Sequence, residues 1–253
     1  MSALKAIFFD MDGVIIDTEK DGHRVAFNQT FIEFGFSFQW SVGYYHELLQ
    51  ISGGKERMRH DFRTRGIPEL KSDQLDELII KIHKRKTEIF ISLIESGKLP
   101  LRPGIYRFMK EAMKKEMILG VCTTANERSA SAVTKGVLAD IAFDFVLAGD
   151  MVKKKKPDPE IYLMSLEKTG LPAESCIVVE DSRNGVTAAK SAGLNVIATT
   201  NQYTENEDLG MADIIVSCLG DYDGEKAVVK KAGKMPLPGG VVTVSQLIEY
   251  FSN

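Results

Sequence analysis

The chain has 253 residues, of which 44% are hydrophobic and 26% are charged. A chain of this length forms one or two domains, and its apolar fraction with ordinary glycine and proline contents excludes disordered and collagen-like proteins. The 32 basic and 35 acidic residues nearly cancel. This balance disfavours nucleic acid as the main partner, because domains that bind nucleic acids are usually basic.

The cysteines Cys122, Cys176 and Cys218 are widely spaced, and each lies in an apolar run. This pattern indicates buried, reduced thiols and favours a reducing cytoplasm. The first residues lack the long apolar stretch of a signal peptide, and no window reaches the roughly 18 apolar residues of a membrane-spanning helix. We therefore expect a cytoplasmic protein with no membrane partner.

Short apolar runs that stop abruptly at a polar residue recur along the chain. They indicate buried strands, because they are short and rich in Ile, Val and Phe. Amphipathic patterns predict helices between them. The predicted strands are 6–9, 118–122, 143–148, 176–179, 196–198 and 213–216, and the predicted helices are 105–115, 127–137, 159–169 and 184–192. This alternation predicts an α/β fold with a doubly wound parallel sheet, whose ligands lie beyond the carboxyl ends of the strands.

Residues 15–98 break the alternation and carry helical patterns such as Leu75-Leu78-Ile82. The simplest interpretation is an α-helical domain inserted into the sheet domain, which then comprises residues 1–14 and 99–253. Near the end of the chain, Thr243 and Gln246 have the spacing of a capping box, which predicts a last helix.

The first predicted strand runs directly into Asp10-Met11-Asp12-Gly13. A motif this short is weak alone, because acidic loop residues are common. At a strand end, however, residues i and i+2 can face the same side, and Gly13 permits a sharp turn. Asp10 and Asp12 can then divide the work of a nucleophile and a proton shuttle.

Two further strand ends carry candidate ligands. Glu180 and Asp181 follow a buried strand and supply oxygens that suit Mg²⁺, although they are equally compatible with a solvated helix cap. Thr123 and Thr124 precede a helix, where a hydroxyl and backbone N–H groups can cradle phosphate; a plain N-cap is the simpler interpretation. Lys156 ends a run of lysines that is typical of a solvated loop, but it can also reach inward to a phosphoryl group.

Taken together and in this order, these segments resemble the four motifs of the haloacid dehalogenase superfamily. The motifs are Asp10-Met11-Asp12-Gly13-Val14, Thr123 after an apolar strand, Lys156-Pro157, and Glu180-Asp181 with the residues that follow. The resemblance implies a Rossmannoid core with a helical cap. It also implies that Asp10 is the nucleophile and Asp12 the general acid and base. Thr123 and Lys156 would bind the phosphoryl group, with Thr124 beside them.

The same resemblance implies a metal site. Mg²⁺ would be held by the carboxylates of Asp10 and Asp181 and by the backbone carbonyl of Asp12, with Glu180 nearby. The founding dehalogenases of the superfamily lack the second aspartate and need no metal. Asp12 and Asp181 therefore favour phosphoryl transfer over dehalogenation.

The chain more closely resembles the CbbY-type branch, which is related to β-phosphoglucomutase and includes xylulose-1,5-bisphosphate phosphatases. This likeness implies a substrate-reading loop at Gly53-Gly54-Lys55, with Lys55 meeting a distal phosphate. Arg59 and Lys86 are further cationic candidates, although both are also compatible with ordinary helix charges. The remaining substrate candidates are Asp17, where related phosphatases often carry Glu, His23 and Asn126.

These resemblances predict a Mg²⁺-dependent phosphatase that hydrolyses a small sugar phosphate or bisphosphate through an aspartyl phosphate. A phosphomutase shares its catalytic residues, but Ala125-Asn126 depart from the Ser-Lys of the mutase. A non-catalytic module that binds phospho-aspartate is a third alternative, and the Asp10/Asp12 pair speaks against it. Because caps of this kind shield a site without a second chain, the resemblance favours a monomer.

Overall fold

The computed structural model describes residues 4–51, 53–66, 72–96, 99–232 and 237–252. Contacts divide the chain into two compact units, one comprising Met1–Asp17 with Pro100–Asn253 and the other Thr18–Leu99. The boundaries predicted from the sequence follow residues 14 and 98, and residues 97 and 98 lie outside the described ranges.

The first unit is built on one sheet with the spatial strand order β3-β2-β1-β4-β5-β6-β7. Its strands are β1 (Ala6–Phe9), β2 (Ile118–Cys122), β3 (Phe145–Leu147), β4 (Cys176–Glu180), β5 (Asn195–Thr199), β6 (Ile214–Val216) and β7 (Val229–Lys231). Strands β1 to β6 pair in parallel, as the sequence predicts. The central strands β1 and β4 are fully buried, which explains their continuous apolar sequences.

The prediction of a wholly parallel sheet is wrong for strand β7. It pairs antiparallel with β6 at one edge, and all three of its residues are exposed. An exposed edge strand buries no continuous apolar run, so the pattern that reveals the other strands is missing here.

The second unit is helical. A π-helical turn (Glu19–His23) leads into α1 (Arg24–Glu33), which is followed by α2 (Val42–Leu49), α3 (Gly54–Thr64) and α4 (Ser72–Glu95). Its core is aromatic: the Phe27 and Phe31 rings lie 4.7 and 4.9 Å from the Trp40 ring. The indole N–H of Trp40 donates to the buried Asp61 carboxylate at 2.7 Å, which satisfies both polar groups inside that core.

The helices of the first unit are α5 (Ile105–Lys114), α6 (Glu127–Ser131), α7 (Glu160–Thr169), α8 (Arg183–Ser191) and α9 (Val244–Ser252). Helix α6 continues as a π-helical turn over Ala132–Val137, which differs from the single regular helix predicted there. The capping box before α9 is confirmed: Thr243 N donates to Gln246 Oε1, and Gln246 N donates back to Thr243 Oγ1.

The three cysteines are free and buried, in agreement with the sequence pattern. Among the helices in the described ranges, none combines the length and the apolar composition that crossing a bilayer requires.

Candidate active site

Three carboxylates meet where β1 and β4 end, because neighbouring parallel strands present their carboxyl ends at one edge of the sheet. Asp10 follows β1, Glu180 is the last residue of β4, and Asp181 comes next. One oxygen from each lies within 4.8 Å of the others, and all three residues are buried. Neither Glu180 nor Asp181 caps the next helix, because that role falls to Ser182, whose Oγ accepts from Gly185 N.

Two glycines make room for these carboxylates. A Cβ added at Gly13 would lie 2.0 Å from Asp181 Oδ2, and Gly13 also has a φ of +83°. A Cβ added at Gly185 would lie 1.9 Å from the carboxyl carbon of Glu180. Glycine at position 185, inside α8, costs helix stability. The close approach of the Glu180 carboxylate gives the physical reason for it.

Lys156 supplies the cation of the site. Its ammonium nitrogen Nζ lies 2.5 Å from Asp10 Oδ1 and 2.6 Å from Glu180 Oε1, and it donates to the Cys122 carbonyl at 2.9 Å. The Lys156 side chain is only 5% exposed, whereas the preceding lysines 153–155 are exposed. The predicted solvated loop is thus real for three of the four lysines, and the fourth reaches inward.

The electrostatics of the cluster are those of crowded acids. Burial, followed by the charge of Glu180, raises the pKa of Asp10 above its ordinary value, although Lys156 acts to lower it. Burial and the charges of Glu180 and Asp10 likewise raise the pKa of Asp181. Burial alone would lower the pKa of Lys156, but the two carboxylates beside it raise that pKa, so the ammonium stays charged.

Tyr162, on α7, was missed by the sequence analysis. Its hydroxyl donates to Glu180 Oε1 at 2.6 Å, the same oxygen that contacts Lys156. Burial and then the Glu180 charge raise the pKa of Tyr162 well above its ordinary value, so the phenol remains a donor. In the sequence it is one more inward-facing residue of an amphipathic helix, and nothing distinguishes it from a packing residue.

Asn201 is a second polar neighbour that the sequence did not reveal. It follows β5 by two residues, and its side-chain amide donates to Asp181 Oδ2 at 2.7 Å. Its signal is absent from the sequence because a single Asn in a polar segment is a common turn residue.

The segment after β2 carries the predicted phosphate ligands. Thr123 is fully buried, and its hydroxyl accepts from Ala125 N at 3.0 Å. Thr124 is half-buried, and Gly149 packs so closely that an added Cβ would lie 2.2 Å from the Thr124 carbonyl. The N-cap of α6 is Asn126, whose Oδ1 accepts from Ser129 N. The cap role considered for the threonines therefore belongs to Asn126.

Asp12 and Asp17 lie on the segment that leaves β1. Asp12 is half-buried and forms an isolated bridge with Ile16, closing a turn in which Gly13 N donates to the Ile16 carbonyl at 2.8 Å. The Asp12 carboxylate is not one of the three in the buried cluster. Asp17 is half-buried and is the last residue of the first segment of its unit.

In the helical unit, His23 and Lys86 lie together. Lys86 is buried, with Nζ 2.8 Å from His23 Nδ1 and 4.7 and 5.0 Å from the ring centres of Phe27 and Phe90. Burial, then the charge of Lys86, lowers the pKa of His23 well below its ordinary value. The neutral ring can therefore accept from the ammonium. Lys86 is thus a buried cation and not an ordinary exposed helix charge.

The other candidates of this unit lie in α3 or directly before it. Gly53 has a φ of +94°, and a Cβ added at Gly54 would lie 3.1 Å from Phe27 and 3.3 Å from the His83 ring. Lys55 is exposed. Arg59 is engaged within the unit, because its guanidinium forms an ion pair with Asp76 at 2.8 Å. This ion pair agrees with the ordinary helix charge that the sequence left open as the alternative for Arg59.

The carboxylate cluster fits a small divalent cation. Its donors are all oxygens, the ligand type that Mg²⁺ prefers. A cation would compensate the buried negative charges, because burial first and then repulsion between the carboxylates raise the pKa values of Asp10 and Asp181. Gly13 and Gly185 leave the carboxylates the space that a larger residue would fill.

Comparisons with known proteins agree with this geometry. A family model described as haloacid dehalogenase-like hydrolase matches residues 4–193. A CBBY-like protein of Arabidopsis thaliana is 45% identical over 226 residues, covering 87% of this chain and 71% of that protein. The crystal structure of CbbY from Rhodobacter sphaeroides in complex with phosphate has a TM-score of 0.74 and 38% identity, covering 87% of this chain and 97% of that one. A mutant of the same CbbY in complex with xylulose-(1,5)bisphosphate also has a TM-score of 0.74, with 37% identity and the same coverage.

The chain therefore belongs to the haloacid dehalogenase-like hydrolases and, within them, to the CbbY-like proteins. It is an enzyme of the phosphatase type.

Proposed function

We propose that the protein is a Mg²⁺-dependent phosphatase that hydrolyses a small sugar phosphate or bisphosphate through an aspartyl phosphate on Asp10. The observation that carries the proposal is the position of Asp10, which contacts the Lys156 ammonium at 2.5 Å inside a cluster of three buried carboxylates. A nucleophilic carboxylate, a fixed cation and a set of metal ligands therefore lie together at the carboxyl ends of neighbouring strands.

In the first step, a carboxylate oxygen of Asp10 attacks the phosphorus, and the bond between phosphorus and the ester oxygen breaks. Asp12, as the acid, donates its proton to the leaving sugar oxygen. In the second step, Asp12 takes a proton from water, whose oxygen attacks the phosphorus of the aspartyl phosphate. Inorganic phosphate leaves, and Asp10 returns as a carboxylate with Asp12 protonated again.

Lys156 and Thr123 act on the group in transfer. Lys156 directs its three N–H groups to Asp10, Glu180 and the Cys122 carbonyl. When Asp10 bonds to phosphorus, a phosphoryl oxygen replaces it as the third acceptor, while the other two partners hold the ammonium in place. The Thr123 hydroxyl and the backbone N–H groups before α6 bind the remaining oxygens, with Thr124 beside them.

Mg²⁺, held by the carboxylates of Asp10 and Asp181 and by the Asp12 carbonyl with Glu180 nearby, would neutralise charge on the phosphoryl oxygens. The chain's residues position the reacting groups around it. Phosphoryl transfer depends mainly on such positioning and charge neutralisation.

The substrate class rests on the relatives and on the helical unit. The related CbbY structures hold phosphate and xylulose-(1,5)bisphosphate. In this chain, Gly53 is the N-cap of α3, Gly54 and the exposed Lys55 are its first residues, and the buried Lys86 adds a second positive charge to the unit. We infer that this unit recognises the sugar and a second phosphate, with Lys55 as the main contact for that phosphate.

Phosphate release from a panel of sugar monophosphates and bisphosphates, with MgCl₂ and with EDTA, tests the proposal. We expect Mg²⁺-dependent release of one phosphate per substrate consumed. Formation of an isomer without phosphate release, measured by ³¹P NMR, would establish the phosphomutase instead. Absence of turnover on every substrate would favour the phospho-aspartate binding module.

A further inference from the structure

Asn201 lies where its side chain can control a single carboxylate. It is buried, with 9% of its surface exposed, and its amide nitrogen Nδ2 donates to Asp181 Oδ2 at 2.7 Å. An ideal Cβ on Gly13 would lie 2.0 Å from Asp181 Oδ2 and 2.8 Å from Asn201 Nδ2. Because Gly13 has no side chain, the Asp181 carboxylate and the Asn201 amide both have room beside it.

The orientation of the Asn201 amide is fixed by its other end. Its carbonyl oxygen Oδ1 accepts from Tyr203 N at 2.9 Å and from Thr204 N at 3.1 Å. Of the two polar atoms of the amide, only the oxygen can accept hydrogen bonds from backbone N–H groups, so the amide cannot be flipped. The NH₂ group must then face Asp181, where it favours the ionised carboxylate.

The turn that carries Asn201 is itself held on both sides. Before it, the Thr200 carbonyl accepts from the guanidinium of Arg102 at 2.7 Å. After it, the Glu207 carboxylate accepts from Arg183 N at 2.6 Å, at the start of α8 and two residues beyond Asp181. A donor on an anchored turn can fix the plane of the carboxylate that it contacts.

We propose that Asn201 is the positioning residue that orients Asp181 as a metal ligand. This inference rests on the proposed function, in which Asp181 holds Mg²⁺. Partners of this kind fix the geometry of the ligand, and their loss typically weakens metal binding by about 10–100-fold. Asn201 itself touches neither metal nor substrate in this role.

The chain offers two matched control variants. Asn195, at the opposite end of β5, directs its amide to the carbonyls of Glu174 and Cys176, so Asn195→Ala removes the same group away from the site. The Thr204 hydroxyl accepts from Asn201 N at 3.1 Å, so Thr204→Val loosens the turn without touching Asp181.

The test is the affinity for Mn²⁺, a spectroscopic substitute for Mg²⁺, measured by electron paramagnetic resonance without substrate. We expect Asn201→Ala to bind Mn²⁺ about 10–100-fold more weakly than the wild type, with both controls within a few-fold. In turnover, the Mg²⁺ concentration at half-maximal rate should rise, while kcat at saturating Mg²⁺ changes much less. If Asn201→Ala does not fold, Asn201→Ser retains an acceptor for the turn but is too short to reach Asp181.

Wild-type Mn²⁺ affinity in Asn201→Ala overturns the inference and leaves the proposed function standing. An equal loss in Thr204→Val also overturns it, because general loosening of the turn would then explain the effect. Failure of the wild type itself to bind Mn²⁺ overturns the metal site of the proposed function, and the inference with it.

Discussion

Lys156 and Asp10 are 146 positions apart in the chain, yet Lys156 Nζ lies 2.5 Å from Asp10 Oδ1. The parallel sheet brings them together, because Asp10 directly follows β1 and Lys156 lies in the loop that follows β3, a parallel strand of the same sheet. The contact explains how a buried carboxylate and a buried ammonium can coexist, since each compensates the charge of the other.

The first prediction concerns this ammonium. We expect Lys156→Ala to lower kcat by about 10²–10³, because a fixed charge on the transferring group is lost. Lys154→Ala is the matched variant from the same lysine run, and its side chain is 75% exposed. Steady-state phosphate release at saturating Mg²⁺ measures both, with circular dichroism to verify folding. Equal rates for the two variants would refute a catalytic role for Lys156.

The second prediction uses Gly185. Replacing a glycine inside a helix by alanine usually stabilises the helix by up to about 1 kcal/mol. At Gly185, however, the new Cβ would lie 1.9 Å from the Glu180 carboxyl carbon. We expect Gly185→Ala to lower both the melting temperature and the activity.

Gly43→Ala in α2 provides the comparison, because an added Cβ meets nothing within 4 Å there. This variant should match or exceed the wild-type melting temperature, measured by thermal unfolding. If Gly185→Ala behaved like Gly43→Ala, the close packing of Glu180 against α8 would be wrong.

The third prediction addresses substrate selection. If Lys55 contacts a second phosphate, Lys55→Ala should reduce kcat/KM for a sugar bisphosphate by roughly tenfold or more, which corresponds to about 1.4 kcal/mol. The value for the matching monophosphate should stay near the wild type. Lys84→Ala removes an exposed lysine of α4 as a control. An unchanged preference for the bisphosphate in Lys55→Ala would rule out its assigned role.

The fourth prediction concerns pH and stability. Burial, then the charges of Lys86 and Lys55, lowers the pKa of His83 to about 4 from 6.5. Between these values the unfolded chain binds a proton that the folded chain does not. The contribution of His83 to the free energy of unfolding therefore falls as the pH drops through 6.5 towards 4.

Urea unfolding at pH 7.5 and pH 5, compared between the wild type and a His83 variant, measures this fall. We expect His83→Gln to reduce it by on the order of 1 kcal/mol, allowing for the partial solvent exposure of the ring. His60→Gln, which changes an exposed histidine of α3, should leave it unchanged. An identical change in the free energy of unfolding between the two pH values in wild type and His83→Gln would contradict the lowered pKa.

Much of the sheet could be predicted because burial on both faces leaves a visible pattern. The apolar runs that end at Asp10, Thr123 and Glu180 correspond to β1, β2 and β4. The site followed from these ends, since parallel strands bring them to one edge. The edge strand β7 left no pattern because it is exposed.

The sequence could not reveal the partners of the acidic residues. Tyr162 and Asn201 are ordinary in their local sequences, and their importance arises only from contacts with Glu180 and Asp181 across the fold. Conversely, Arg59 had a plausible cationic pattern, but its ion pair with Asp76 could be seen only in the folded unit. Local patterns encode strands and turns, whereas side-chain partners depend on the tertiary arrangement.

The central claim is that the phosphoryl group passes through Asp10, and chemical trapping tests it most directly. Enzyme is mixed with substrate and Mg²⁺, quenched in acid within the first turnover and treated with borohydride, which reduces an acyl phosphate to an alcohol. Mass spectrometry of the peptide containing residue 10 should then show homoserine in place of Asp10. Steady phosphate release without homoserine at that position, or with the product at a different carboxylate, would contradict the account.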